Sequence, residues 1–161
     1  MASVAHPEDD DVGIGGEMDT GYVERNQAAS RRLSELVGRL TERDLQASLG
    51  DGWTVKATLA HLAFWDRYAA GLVDGWSASG YQTVPASADH VNAAAIDDWL
   101  ALPDEYVRRA VVEAAEALDR RIEAITPELA EAIAAGGRAR TLDRSRHRSE
   151  HLDQIVAALG R

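Results

Sequence analysis

The sequence predicts an all-α fold, a four-helix bundle with short accessory helices. Three observations predict it. Apolar residues recur at helical spacing through four long segments. No segment sustains the period-two alternation of a half-buried strand. Glycines, prolines and capping residues punctuate the chain between the helical segments. At 161 residues the chain is long enough for a single domain with a real core, arranged as an antiparallel bundle or close to one.

Taken in order, residues 1–19 carry Glu8-Asp9-Asp10-Asp11 and Gly13, Gly15 and Gly16, with few large apolar side chains. They read as a disordered acidic tail ahead of a bundle domain over residues 20–161. A first helix is expected over about residues 20–37, where Tyr22, Ala29, Leu33, Leu36 and Val37 form an apolar stripe. A connection follows, with a short turn at residues 42–45 and a turn signal at Asp51-Gly52. The second helix should run over about residues 55–73, with Thr54 as N-cap and Gly75 as a natural stop. Residues 77–88 contain Gly80 and Pro85 and read as a loop, after which Asp89 is placed to cap a helix starting at His90 or Val91. Pro103 has no N–H to give the helical ladder, so it should break or kink that helix or open the next one as a first-turn residue. Residues 104–125 are strongly helical, with Val107, Val111, Ala114, Leu118 and Ile122 in phase. Thr126-Pro127-Glu128 restarts a helix of about two turns, which Gly136-Gly137 ends, and a last helix spans about residues 142–159.

The bulk chemistry excludes several classes. A net charge of -10 argues against a nucleic-acid backbone or an anionic membrane as partner. No apolar run is long enough to span a bilayer, and the N-terminus has no basic start followed by an apolar core, so a cytoplasmic protein is expected. The absence of cysteine removes disulfides, thiolate metal sites and a cysteine nucleophile.

The residues able to carry chemistry lie on two helices. With His61 at the origin of a helical wheel, Trp65, Tyr68 and Leu72 fall beside it, while Lys56, Arg67 and Asp74 fall opposite. His61 therefore sits in the apolar stripe, where a buried imidazole needs a partner, either a carbonyl or a metal ion. In the last helix, His147-Arg148-Ser149-Glu150-His151 puts two histidines four residues apart, a spacing that lets both rings reach one ion. Both border the stripe continued by Ile155 and Leu159. Three neutral imidazoles drawn from facing helices would leave one or more coordination positions for water or substrate, the pattern of a catalytic site. The His-x-x-Glu-His spacing also matches the inverzincin proteases, but only ten residues follow His151, too few to supply that family's distant carboxylate ligand. Glu150 is retained as a candidate base, with a solvated helix-face charge as the simpler reading.

These residues carry a family resemblance. Trp53-Thr54-Val55-Lys56, Leu59-Ala60-His61-Leu62-Ala63-Phe64-Trp65-Asp66, Asn92-Ala93-Ala94 and His147-Arg148-Ser149-Glu150-His151-Leu152-Asp153-Gln154-Ile155 occur in an order and spacing similar to the DinB/YfiT-like superfamily. The resemblance covers about residues 22–159. It implies a four-helix bundle in which His61, His147 and His151 hold a divalent metal ion, commonly zinc or nickel. It also implies a small-molecule substrate and a homodimer. The superfamily includes thiol transferases that use mycothiol, bacillithiol or glutathione, and a mycothiol-dependent maleylpyruvate isomerase.

With no cysteine in the chain, the nucleophile must be metal-bound hydroxide or an incoming thiolate. The resemblance implies the second, a mycothiol-type S-transfer or isomerisation of a small electrophile. Hydrolysis by metal-activated water is the alternative, and a non-catalytic stress-response bundle that binds or dimerises is the reading of another class. Trp53, Trp65, Tyr68, Trp76, Tyr81 and Trp99 are expected as core residues that also offer a pocket lining. Arg144, Arg146 and Arg148 read as solvated charges, one of them available to a substrate carboxylate.

Overall fold

The computed structural model describes residues 19–84 and 88–161. The tail expected over residues 1–19 therefore falls almost wholly outside the described residues, as does Pro85. Among the described residues, eight helices and one small hairpin follow in the order α1 (Tyr22–Arg39), α2 (Glu42–Leu45), β1 (Ser48–Gly50), β2 (Trp53–Thr54), α3 (Val55–Ser79), α4 (Ala88–Ala101), α5 (Asp104–Glu123), α6 (Pro127–Ala135), α7 (Ala139–Leu142) and α8 (Ser145–Ala158). The fold is all-α, with α1, α3, α5 and α8 as the members of the bundle: α3 packs along α5, and α1 along both α8 and α5.

Local chemistry explains most of the boundaries. The Thr54 hydroxyl accepts the backbone N–H of Ala57 and starts α3 where a cap was expected. Thr41 and Asp44 form a reciprocal capping box that turns the expected short turn into α2. Thr126 caps α6 with Pro127 in the first turn, and Pro103 stands just ahead of α5.

Three expectations need correction. α3 does not stop at Gly75 but continues to Ser79 and ends at Gly80, whose φ of 77° is left-handed. The reason is tertiary: Trp76 is buried against Ala130, Ile133 and Leu142, and its indole N–H donates to the Gln82 carbonyl at 3.0 Å. That packing outweighs the weak helix propensity of one glycine. Asp89 lies inside the first turn of α4 and not ahead of it, which suits its charge to the positive helix end. The last helix is split, α7 closing at Leu142 and α8 opening at Ser145. The hairpin was not anticipated, since β1 and β2 are too short to show any alternation. Its turn places Gly50, Asp51 and Gly52 at positive φ, which two of the three adopt without a Cβ penalty.

The main core gathers Leu33, Leu45, Leu59, Leu62, Val107 and Leu152, among others, from six helices. A second cluster unites Ala69, Val73, Leu118 and Ile122, and a third forms around Trp76. No helix among the described residues is long and apolar enough to cross a membrane.

Candidate metal centre

His61 projects from the second turn of α3, where its neighbours Leu59, Ala60, Leu62 and Ala63 are all buried. It is itself 5% exposed, as its place in the apolar stripe requires. His147 and His151 come from successive turns of α8, their ring centroids 4.9 Å apart. The fold brings both to His61, at centroid distances of 5.2 and 4.9 Å. One ring nitrogen from each of the three lies within 4.8 Å of the other two.

The donor set fits a divalent ion. Nitrogens bound at about 2.1 Å to one tetrahedral ion stand about 3.4 Å apart. The Nε2 atoms of His61 and His147 are 3.1 Å apart, within a few tenths of that span. Imidazole suits zinc and nickel alike. Burial pushes His147 well below the usual histidine pKa, and the neighbouring Arg144, His151, His61 and Arg148 push in the same direction. It therefore stays in the neutral form that a ligand must have.

The surroundings are aromatic. Trp53 of the hairpin, Trp65 of α3 and Trp99 of α4 set their rings 5.5, 6.3 and 5.3 Å from that of His61. The Trp65 indole N–H donates to Asn92 Oδ1 at 2.9 Å, which ties α3 to α4. Of the six aromatics considered from the sequence, Trp76 and Tyr81 belong instead to the third cluster. Trp99 also forms one wall of a groove of about 380 Å³ between α3, α4 and α5, with Phe64, Arg67 and Tyr106. None of the three histidines lines that groove.

Behind the histidines lies a buried ionic network that sequence reasoning missed. Arg148 was expected to be solvated, yet its side chain is completely buried. Its Nε donates to Asp66 Oδ2 at 2.8 Å, and its Nη1 donates to Asp119 Oδ1 and Ser30 Oγ, each at 2.8 Å. One side chain of α8 thus holds α1, α3 and α5. Burial alone would depress the Arg148 guanidinium, but Asp66 and Asp119 outweigh it and hold its pKa above the ordinary value. A signal was present in the sequence: Arg148 stands in helical phase with Leu152 and Ile155, and Asp66 with Leu59, Leu62, Ala69, Ala70 and Val73.

Arg144 extends the network toward the histidines. Its Nε donates to Asp66 Oδ1 at 3.0 Å and its Nη2 to His147 Nδ1 at 2.7 Å. Arg146 behaves as expected, exposed and paired with Glu150 at 2.7 Å. Glu150 accordingly points to solvent on the helix face.

A sequence model of the family described as the mycothiol maleylpyruvate isomerase N-terminal domain matches residues 27–149. That span runs from within α1 into α8 and includes His61 and His147, with His151 two residues beyond it. No curated protein and no solved structure matches the chain.

Proposed function

The chain belongs to the mycothiol maleylpyruvate isomerase N-terminal domain family, within the DinB-like superfamily, and on that premise we propose that it is a divalent-metal-dependent enzyme directing a mycothiol-type thiol onto a small electrophile. The observation that carries this reading is the convergence of His61, His147 and His151 from two helices remote in sequence. Zinc or nickel held there would supply a positive charge that lowers the pKa of an incoming thiol and steadies its anion at neutral pH.

The residues of the chain have separate tasks in this reading. His61, His147 and His151 hold the ion through neutral nitrogens, so they leave its charge undiminished. Trp53, Trp65 and Trp99 exclude water from one side and raise the strength of every charge interaction there. Arg148 and Asp66 fix the relative position of α8 and α3, and with it the spacing of the ligands. Glu150 is engaged by Arg146 at the surface, which favours a thiol nucleophile over hydrolysis with that carboxylate as base. A homodimer and a cytoplasmic location go with the proposal.

The test has two parts. Wild-type protein loaded with zinc and desalted should retain about one ion per chain by elemental analysis, and His61→Ala should retain none; wild-type metal content in that variant defeats the ligand assignment. The loaded protein is then assayed for mycothiol-dependent consumption of an electrophile, with maleylpyruvate as the first probe. Metal without any thiol-dependent turnover would favour a binding bundle instead.

A further inference from the structure

The two histidines of α8 are set up in opposite ways. His151 Nδ1 stands 2.9 Å from Gln154 Oε1. An amide oxygen only accepts, so Nδ1 carries the proton and Nε2 keeps its lone pair. His147 Nδ1 stands 2.7 Å from Arg144 Nη2. A guanidinium only donates, so here Nδ1 keeps the lone pair and the ring proton sits on Nε2. That proton points to His61 Nε2 at 3.1 Å, which accepts it. His151 is thus ready to ligate through Nε2, and His147 is not.

We propose that Arg144 is a metal-displaced latch, a positioning residue that holds His147 in the non-ligating tautomer until an ion takes its place. The inference rests on the metal-centre reading above. Ligation by His147 Nε2 needs the ring proton on Nδ1, and a proton there meets the N–H of Arg144 head-on. The ring keeps one proton throughout: it leaves Nε2 and is regained at Nδ1. The guanidinium must therefore swing away as the ion enters.

The fold lets the side chain move while the backbone stays. Asn26, fully buried on α1, accepts the Arg144 backbone N–H at 2.8 Å and donates to the Leu142 carbonyl at 2.6 Å. The segment between α7 and α8 is pinned by these two bonds. The Arg144 side chain is 13% exposed and has an outlet to solvent, whereas Arg148 one turn on has none. Asp66 keeps Arg148 when Arg144 leaves, so its carboxylate is never stranded.

The experiment is a competition titration of zinc against a chromophoric chelator, using the full-length metal-free protein and its Arg144→Gln variant. A charge-assisted bond must be broken in the wild type and not in the variant, so the variant should bind zinc roughly tenfold to a hundredfold more tightly. Equal or weaker binding by a variant of unchanged helical circular dichroism overturns the latch and leaves the metal centre intact. No binding by either protein overturns the metal reading and the latch with it. Nitrogen NMR of the imidazoles in wild-type protein is the second measurement and does not depend on how the variant folds. His147 should be the Nε2–H tautomer without metal and become Nδ1–H on adding zinc; an Nδ1–H ring already present in the metal-free protein overturns the proposal.

Discussion

Arg148 Nε and Asp66 Oδ2 meet at 2.8 Å with neither side chain open to solvent. A pair this deep gains little net stability by forming, because both charges must shed water. Its hold on the fold appears when one partner is removed. The same guanidinium reaches Asp119 and Ser30, so α1, α3 and α5 all depend on a single residue of α8.

Arg148→Met should therefore strand Asp66 and Asp119 in the interior and lower stability by about 3–5 kcal/mol. Arg148→Lys should recover only part of that, since an ammonium lacks the planar fork that serves several acceptors at once. Urea unfolding measures both. A loss no larger than that of an ordinary surface substitution in either variant would remove the network from its structural role.

Asp143 governs how α1 meets the start of α8. Its carboxylate accepts from Arg25 Nη2 at 2.7 Å and from the Ser145 backbone N–H at 3.1 Å. Burial alone would raise its pKa, but the bonds from Ser145 and Arg25 outweigh that and hold it below the ordinary value of 3.8. The folded state thus binds fewer protons there than the unfolded chain, and the contribution is complete above 3.8 and lost as pH falls below it. Unfolding midpoints of wild type and Asp143→Asn should differ at neutral pH and draw together as the pH falls below 3.8. A gap of unchanged size at the acidic end would show that the carboxylate charge contributes nothing.

Tryptophan emission should report the centre. Three of the four tryptophans, Trp53, Trp65 and Trp99, surround His61, while Trp76 belongs to another cluster. Nickel bound at the histidines should quench most of the emission, and a chelator should restore it. His151→Ala should abolish the response. Equal quenching in that variant would place the ion elsewhere.

The parts of this structure that sequence disclosed are those written in short-range patterns. The stripe through Leu33, Leu36 and Val37 gave α1, the Thr54 hydroxyl gave the start of α3, and the wheel put His61 inside. What stayed hidden depends on partners distant in the chain. Trp76 carries α3 past Gly75 only because α6 and α7 supply its pocket. Arg148 reads as a solvated charge in a run of arginines until Asp66 and Asp119 are brought to it from 82 and 29 residues away. The opposite tautomers of His147 and His151 follow from Arg144 and Gln154, each three residues along the same helical segment, and no periodicity marks such a donor or acceptor. The His147–His151 pair was legible because four-residue spacing is a local property, whereas its meeting with His61, 86 residues from His147, was expected from the family resemblance.

The claim on which the rest depends is that three imidazoles share one ion, and zinc-edge X-ray absorption of the loaded protein tests it most directly. The expected spectrum has three imidazole nitrogens at about 2.0–2.1 Å, falling to two in His61→Ala if any zinc remains. A zinc shell with one imidazole or none, or a spectrum indifferent to the loss of His61, would contradict it.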